Sequence, residues 1–394
     1  MKSFFIISNY FPPEIGAASS RIFQLAKNLK LNYPHTEVIC PFPNYPTGKI
    51  IGTYSGFYQE EIIDKIKCHR LYILPSNSSS PIKRLVSMIS FALSIWILLF
   101  KKSTYKSENI IIQNSPLLVS FSSILLFKKI LNKKIILNVS DLWPQSAVDL
   151  GVINKDSFTH KIFKRIEKFN YKNSDKVIGQ SQYIIDHMLT LCDRPSFLYR
   201  NIPQTNLKII KSLETNQTIN FIYAGLLGVA QGVLEIIKVL CKSDLNFKFD
   251  IYGDGNQKKE IQEFLKNNPT NKITFFGSIT KFDLQSKYSH YHYSFVPLVA
   301  KIKGAFPSKI YELIMYKVPV IYIGDGEAKD FVISNNLGYH LDPNEINQLY
   351  HMMQRIFNNH DKKYKDLILN CEKVSKKELS FNKQFLNFLL FLDE

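Results

Sequence analysis

Short apolar runs alternate with longer segments of helical periodicity along all 394 residues. The runs are rich in Ile, Val, Phe and Tyr, which is typical of buried strands, whereas the segments between them repeat apolar residues every three or four positions. In the first half the pattern predicts strands at Phe4–Ser8, Glu37–Pro41, Arg70–Leu74, Asn109–Gln113, Lys134–Val139 and Lys176–Gly179. In the second half it predicts strands at Asn220–Ala224, Lys248–Tyr252, Lys272–Phe276, Ser294–Pro297 and Pro319–Ile323.

This alternation of strands and helices predicts an α/β protein with two doubly wound, Rossmann-like domains built on parallel sheets. The chain is too long for one ordinary core. Asn201-Ile202-Pro203 interrupts both patterns, so we expect an N-terminal domain over 1–203 and a C-terminal domain over 204–380. A last helix, in residues 381–394, is expected to cross back to the first domain.

Composition limits the class of protein. Hydrophobic residues make up 45% and charged residues 21% of the chain, which is typical of a folded protein. The five cysteines are widely spread and form no Cys-x-x-Cys pair, which argues against a disulfide framework and a structural zinc site. The apolar N-terminus, Phe4 to Ile7, is too short for a signal peptide and indicates a first strand. The expected compartment is the cytoplasm.

Positive charge is concentrated in one half of the chain. The net charge is +17, and residues 1–201 hold 26 Lys and Arg against 13 Asp and Glu. Such a surface attracts either nucleic acid or an anionic membrane. No nucleic-acid-binding module is evident, so we expect no nucleic-acid partner.

Two apolar segments of the first half favour the membrane. Lys83-Arg84 and Lys101-Lys102 bracket Leu85–Phe100, and a second apolar helix, Leu117–Phe127, is followed by further lysine pairs. The first segment is too short to span a bilayer readily, so we predict peripheral attachment to the inner face of the plasma membrane. The alternative is that both segments are helices packed on a sheet.

The most informative segment lies between Phe306 and Ile323. Pro307 and Ser308 open a predicted helix, and Lys309 and Glu312 lie three residues apart on its first turns. Free backbone N–H groups and an ammonium suit a phosphate, and a glutamate accepts hydrogen bonds from sugar hydroxyls. The pairing indicates a nucleotide-sugar site, although a helix with a surface lysine and a solvated glutamate is the alternative.

This segment resembles the nucleotide-sugar motif of retaining GT-B glycosyltransferases of family four, in the bacterial surface-polysaccharide (capsule or O-antigen) branch, where Pro-Ser-Lys precedes a ribose-binding glutamate. The order of motifs follows that family from residue 4 to about residue 340. The resemblance implies a GT-B fold, with two domains that face a central cleft, and a donor site that includes Phe306, Pro307, Ser308 and Glu312. Lys309 is the predicted catalytic residue that stabilises the departing diphosphate.

Glycine-rich loops follow predicted strands of the second half, where ligands of parallel sheets bind. The loop Gly225 to Gly232 resembles the family's phosphate-side loop but lacks its usual arginine and lysine. We therefore expect Gly225, Gly228 and Gln231 to contact the donor together with backbone N–H groups. Gly253, Ser278 and Ile279 match the positions that hold the base in the family.

Loops of the first half are expected to serve the acceptor. The turn Phe-Pro-Pro-Glu before Gly16, with Arg21 on the following helix, resembles a family segment in which Gly16 would approach the donor diphosphate. Asp141, in the tetrad Asp-Leu-Trp-Pro, is a candidate catalytic residue that orients or deprotonates the acceptor hydroxyl, and Trp143 would stack on a sugar or line the lipid-facing entrance. Alternatively, Gly16 is a plain turn glycine, Asp141 caps the next helix and Trp143 fills the core.

Some positions depart from the family pattern. Gly304 stands where the first glutamate of the family's Glu-x7-Glu pattern is expected, and Gln145 replaces a glutamate after the tetrad. Donor-sugar recognition is therefore assigned to backbone groups of residues 303–307, and a deoxy or acetamido sugar fits. His290 and His292 form a weak metal candidate without a nearby carboxylate, and we expect them on a helix or strand surface. No metal site and no cofactor is predicted.

Together these observations predict a metal-independent, retaining hexosyltransferase-type enzyme. It would move a sugar from a UDP-sugar to a polyprenyl-diphosphate-linked acceptor in capsule or O-antigen synthesis. The alternatives are a UDP-sugar epimerase of the same fold and a non-catalytic basic protein that binds lipid or nucleic acid.

Overall fold

The computed structural model describes residues 2–78, 80–204 and 218–394. Contacts divide the chain into two compact units, Met1–Arg200 and Asn201–Glu394. Each unit contains its own central sheet with helices around it, as the alternation of strands and helices predicts. The crossing of the last helix to the first domain stays a prediction.

The first unit is built on an eight-stranded sheet in the order β3-β4-β2-β1-β5-β6-β7-β8. The strands are β1 (Phe4–Ile7), β2 (Thr36–Pro41), β3 (Tyr58–Ile63), β4 (Ile66–Leu71), β5 (Asn109–Gln113), β6 (Lys134–Val139), β7 (Lys176–Gly179) and β8 (Ser196–Leu198). Parallel pairing holds throughout except at the edge, where β3 runs antiparallel to β4. Strand β1 lies in the interior of the sheet, because Ile6 pairs with Val38 of β2 on one edge and with Ile111 of β5 on the other. All of its residues are buried.

The helices of the first unit are α1 (Ala17–Asn32), α2 (Pro81–Ser94), α3 (Lys102–Lys106), α4 (Leu117–Ile124), α5 (Gln145–Asp149), α6 (Phe158–Lys172) and α7 (Gln182–Leu191). Helix α2 continues as a 3-10 helix, Ile95–Phe100, and α4 as a π-helix, Leu125–Ile130. The segment from α4 to residue 127 lies in the core, with Val119, Ile124 and Phe127 fully buried. For this segment the structure therefore shows the alternative, a helix packed in the core.

The second unit is built on a six-stranded, wholly parallel sheet in the order β11-β10-β9-β12-β13-β14. Its strands are β9 (Ile219–Leu226), β10 (Phe247–Asp254), β11 (Ile273–Gly277), β12 (Tyr293–Pro297), β13 (Val320–Ile323) and β14 (Gly338–Leu341). Phe221, Phe249 and Phe295 bring neighbouring strands into one aromatic core.

The helices of this unit are α8 (Val233–Leu240), α9 (Lys258–Asn267), α10 (Lys281–Lys287), α11 (Lys309–Met315), α12 (Glu327–Ser334), α13 (Leu349–Glu378) and α14 (Phe381–Asp393). Two 3-10 segments, Tyr288–His290 and Pro343–Gln348, lie between them. Because all six strands run in one direction, the loops that follow β9, β10, β11, β12 and β13 leave the same edge of the sheet. These loops carry the predicted donor residues.

Candidate active site

Helix α11 presents a lysine and a glutamate as an ion pair. Lys309 is the first residue of the helix, and its Nζ lies 2.9 Å from Oε2 of Glu312, one turn further on. The opposite side of the helix is anchored in the core, because Ile310, Leu313 and Ile314 are fully buried. The helix is only seven residues long, and the Ser308 side chain makes no capping hydrogen bond. What fixes the pair in place is therefore the packing of α11.

Glu312 is only 7% exposed, yet half of its carboxylate is left without a partner. Within the described residues no donor hydrogen-bonds to Oε1, whereas Oε2 accepts from Lys309. A buried carboxylate oxygen without a donor is costly unless a ligand supplies one. This geometry suits an acceptor for ligand hydroxyls, and the alternative of a solvated glutamate is wrong.

Tyr288 is a neighbour that the sequence did not reveal. Its hydroxyl lies 3.5 Å from Nζ of Lys309, at the start of the 3-10 segment after α10. Burial holds the pKa of Tyr288 well above its usual value, and the charge of Glu312 adds to this effect. The hydroxyl therefore stays protonated, and its oxygen can accept a hydrogen bond from Nζ of Lys309. No spacing along the chain links Tyr288 to Lys309, so only the fold brings them together.

An aromatic stack precedes the ion pair. The ring of Phe306 lies 4.5 Å from that of Tyr311 at an interplanar angle of 9°. Pro307 and Ser308 follow, and the carbonyl of Pro307 accepts from the N–H of Ile310. The stack packs Phe306, which precedes α11, against a residue of the helix itself. It therefore helps to position the backbone of residues 303–307 beside Lys309.

The backbones at the ends of β9 and β10 approach each other closely. Gly225 and Gly253 are partners in the sheet, and a Cβ added to Gly253 would lie 2.0 Å from the Gly225 carbonyl oxygen. Gly255 is equally tight, since its added Cβ would lie 2.3 Å from the carbonyl oxygen of Leu227. These glycines are required by the close approach of two backbones, whatever ligand binds there.

The predicted residues after β9 and β11 occupy the same edge of the sheet. Gln231 donates its N–H to the Gly228 carbonyl, and its Oε1 is buried without a hydrogen-bond partner among the described residues. Ser278 donates to Oδ2 of Asp254 over 3.4 Å, which ties the loop after β11 to the loop after β10. Ile279 is half-buried beside it. Lys258 and the N–H of Gly255 also bind Asp254 and lower its pKa.

Gly232 has a conformation that was not predicted from the sequence. It adopts a left-handed conformation, with φ of 66°, and caps the N-terminus of α8. An added Cβ would also lie 2.8 Å from Cγ1 of Val299. Strain and a close contact both favour glycine here, so the turn that starts α8 is fixed by one residue.

The histidine interpretation needs correction. His292 is buried in the core, where its Nδ1 lies 3.0 Å from the backbone N of Asn220 and its ring lies 5.0 Å from the ring of His360. The expected surface position is wrong for His292, although His290 is exposed. Within the described ranges, no group of three or more His, Cys, Asp or Glu side chains could hold a metal ion.

Asp141, which is predicted to orient the acceptor, follows strand β6 of the first unit. The exposed Asp141 accepts from Ser140 Oγ over 3.3 Å, and Ser140 in turn accepts from Gln113 over 2.7 Å. Helix α5 begins only after Pro144 and has no side-chain cap, so the capping alternative for Asp141 is wrong. Trp143 is half-buried, with its ring 5.9 Å from the ring of Phe163.

Arg21 on α1 lies within electrostatic reach of Asp141. Burial lowers the pKa of Arg21, and the negative charge of Asp141 opposes that effect. Its Nε is buried and has no hydrogen-bond partner among the described residues. Gly16 caps α1 from the N-terminal side, and an added Cβ there would only touch the Tyr45 ring at 3.6 Å. The first unit thus places the half-buried Arg21 within electrostatic reach of the exposed Asp141.

Comparison with known proteins finds a family match in the second unit. Residues 206–374 match the family "Glycosyl transferases group 1". The match includes the whole of α11, with Lys309 and Glu312, and the glycine loops after β9 and β10.

Two curated relatives are also glycosyltransferases by name. The "Probable glycosyltransferase WbjE" of Pseudomonas aeruginosa is 23% identical over 250 residues, which are 59% of this chain and 62% of the relative. The chain therefore spans less than two thirds of the length of WbjE. The "Uncharacterized glycosyltransferase MJ1178" of Methanocaldococcus jannaschii is 27% identical over 304 residues, 71% of this chain and 83% of the relative.

Solved structures confirm the GT-B fold. The sucrose-phosphate synthase of Thermosynechococcus elongatus superposes with a TM-score of 0.74 at 15% identity, covering 100% of this chain and 98% of that one. Anabaena Alr3699/HepE in complex with UDP superposes with a TM-score of 0.72 at 12% identity and full coverage of both chains. The lipopolysaccharide outer core galactosyltransferase WaaB gives 0.67 at 15% identity, covering 100% of this chain and 99% of that one.

Proposed function

We propose that the protein is a retaining glycosyltransferase that moves a sugar from a UDP-sugar to a polyprenyl-diphosphate-linked acceptor in capsule or O-antigen synthesis. The observation that carries the proposal is the Lys309–Glu312 pair, in which the buried Oε1 of Glu312 has no hydrogen-bond partner among the described residues. The pair lies in the segment that matches the group 1 family. HepE, a protein of the same fold, was solved with UDP bound, and this supports UDP as the nucleotide.

The donor chemistry follows from charge. Breaking the anomeric bond leaves negative charge on the departing diphosphate, and groups that meet this charge stabilise the transition state more than the ground state. Lys309 carries an ammonium with three N–H donors, of which Glu312 takes one and Tyr288 lies near another. One donor remains for a phosphate oxygen. Backbone N–H groups of the loop that contains Gly228 and Gln231 would supply the rest, without a metal or a cofactor.

The nucleoside of the donor is assigned to the same edge of the second sheet, next to the diphosphate. Oε1 of Glu312 would accept from the ribose hydroxyls, and the loops of Gly253, Ser278 and Ile279 would hold the base. Gly225 leaves room for this because it has no side chain. Phe306, Pro307 and Ser308 would border the donor sugar, whose deoxy or acetamido character would follow from Gly304 at the place of a glutamate.

The acceptor is assigned to the first unit. Asp141 is exposed and held by Ser140, so it can orient an acceptor hydroxyl or take its proton. Arg21 would meet an acceptor phosphate and Trp143 would contact a sugar ring, whereas Gly16 would let the donor diphosphate approach the backbone. Retention of the anomeric configuration would arise from attack on the same face as departure. The enzyme would act in the cytoplasm, bound peripherally to the anionic inner face of the plasma membrane.

A panel of radiolabelled UDP-sugars tests the proposal. Incubation with membranes that contain polyprenyl-linked glycans should transfer label from one donor into the lipid-extractable fraction and release UDP in equal amount. An Asp141→Asn variant should lose transfer while it still binds UDP. Interconversion of the UDP-sugar without acceptor modification would indicate an epimerase and overturn the proposal.

A further inference from the structure

Helix α2 and its 3-10 continuation carry apolar side chains outward. Ile82 is 73%, Leu93 65% and Phe100 87% exposed. Further exposed apolar residues on this segment are Leu85, Val86 and Ile89. Among the described residues, the stretch Pro81–Phe100 is the one helix long and apolar enough to cross a membrane, and a third of it is buried within the protein. In water an exposed helix face is normally polar, so this face is built for another environment.

Two serines of the same helix point inward, whereas Lys83 and Arg84 near its start are exposed. Ser87 and Ser94 are buried, and Ser94 donates to the Ser90 carbonyl over 2.9 Å. Trp96 donates its ring N–H to Ser122 of α4, and Ser122 donates to the Ala92 carbonyl over 2.6 Å. The two bonds to Ser122 fix the rotation of α2 against α4, because turning the helix would separate Trp96 and the Ala92 carbonyl from Ser122. The outward apolar face is therefore a fixed feature of the fold.

A basic helix lies on the same side of the sheet. Helix α2 packs on α4, and α4 packs on α6, so the three helices form one layer. The outward residues of α6 include four cations, Lys161, Lys164, Arg165 and Lys168. The single acidic residue of α6, Glu167, is buried and lies 2.9 Å from Nε2 of His187. Phe158, at the start of the helix, is 79% exposed.

We propose that the outward faces of α2 and α6 form one docking surface for a bilayer that contains anionic lipid. Helix α2 lies in the plane of the interface with Leu93 and Phe100 among the acyl chains, and the cations of α6 contact headgroup phosphates. Charge complementarity favours an anionic bilayer as the binding partner, because the surface combines an apolar stripe with cations. The outward face of α6 has no Asp or Glu side chain. The inference rests on the proposed peripheral location and specifies how the protein lies on the membrane.

Flotation of the full-length protein with vesicles tests the docking surface. Vesicles of phosphatidylcholine with phosphatidylglycerol should capture the wild type, and a Leu93→Glu variant should bind them roughly 10-fold to 100-fold more weakly. A Lys161→Gln/Lys164→Gln variant should bind about 25-fold more weakly. Vesicles of phosphatidylcholine alone should bind the lysine variant and the wild type alike.

Matched controls lie on α13 of the second unit. Leu369→Glu and Lys362→Gln/Lys363→Gln change exposed residues of the same types and should float as the wild type does. Equal flotation of the Leu93→Glu variant and the wild type would overturn the proposal, as would equal losses in the controls. A wild type that fails to float but forms a dimer, which Leu93→Glu dissociates, would assign the surface to a second copy of the chain and also overturn it.

Two further readouts separate this inference from the proposed function. Thermal unfolding confirms that each variant is folded, and UDP titration by calorimetry reports the donor site independently of lipid. Loss of flotation with intact UDP binding in the docking variants is the expected result. If the wild type floats but binds no UDP, the proposed function is refuted and the docking surface is still supported.

Discussion

Replacing Glu312 by glutamine probes the donor site with the smallest change in shape. The variant keeps one acceptor oxygen but removes the charge from a carboxylate that is 7% exposed and paired to Lys309 at 2.9 Å. Lys309 is about one third exposed, so water compensates for much of the lost ion pair. The free energy of unfolding should therefore fall by only about 1 kcal/mol.

The effect on nucleotide binding should be larger than the effect on stability. A hydrogen bond to a charged group contributes about 1.5–3 kcal/mol, which corresponds to roughly 10-fold to 150-fold in the dissociation constant. Oε1 of Glu312 has no donor among the described residues, so the ribose hydroxyl would not compete with a protein group for it. We expect UDP to bind Glu312→Gln weaker by about this factor.

Calorimetric titration with UDP and with 2′-deoxy-UDP assigns the loss to the ribose. The wild type should prefer UDP to the deoxy analogue, and the preference should largely vanish in Glu312→Gln because the partner of the missing hydroxyl is already gone. Glu263→Gln, on the exposed face of α9, is the control and should keep the preference. If Glu312→Gln weakens both nucleotides equally, or neither, the assignment of Glu312 to the ribose is refuted.

Three further predictions test other parts of the account. Lys309→Ala should lower kcat by about 100-fold in a transfer assay, because one transition-state donor is lost, and wild-type turnover would exclude Lys309 from the mechanism. Gly253→Ala should lower the free energy of unfolding in guanidinium by about 3 kcal/mol, since its Cβ would meet a β9 carbonyl oxygen at 2.0 Å; an unchanged midpoint would contradict this packing. Hydrogen bonds from Lys376 and Lys317 lower the pKa of Glu372 from 4.5 to about 2, so its stabilisation is complete above pH 4.5 and disappears as pH falls toward 2. The melting temperature of Glu372→Gln should therefore fall less steeply over this range than that of the wild type, and parallel curves would refute the linkage.

The strands that apolar pattern predicted well are those buried on both faces. Residues 109–113 and 134–139 agree residue for residue with β5 and β6. The strand predicted at 70–74 is instead β4, Ile66–Leu71. The polar residues Lys67, His69 and Arg70 interrupt its apolar pattern, so the sequence placed the strand too late in the chain. Arg70 is fully buried and its Nε lies 2.5 Å from Oε1 of Glu61 on β3, a pairing that only the folded sheet reveals.

Edge strands were missed for a related reason. The antiparallel β3 and the short β8 and β14 have few fully buried residues, so their sequences lack the apolar runs that mark central strands. The neighbouring helices show the same limit, since apolar content alone does not separate the exposed face of α2 from the buried α4. Which of them faces solvent depends on the order of strands in the sheet.

The candidate site could be predicted only where one short segment holds it. Lys309 and Glu312 are one turn apart, so helical spacing was enough to pair them. Tyr288 contacts Lys309, and Asp141 lies within electrostatic reach of Arg21, although these residues are far apart in sequence, and no local pattern encodes either pairing. Burial of Glu312 likewise follows from the packing of α11 and not from its composition.

Analysis of the product would show whether the protein transfers a sugar from a UDP-sugar with retention of configuration. The UDP-sugar that labels the lipid-linked acceptor should be used on a preparative scale, and the anomeric configuration of the new glycosidic bond should be determined by NMR. The account predicts the same configuration as in the donor, with one UDP released for each bond formed. An inverted product, or no transfer from any UDP-sugar, would contradict it.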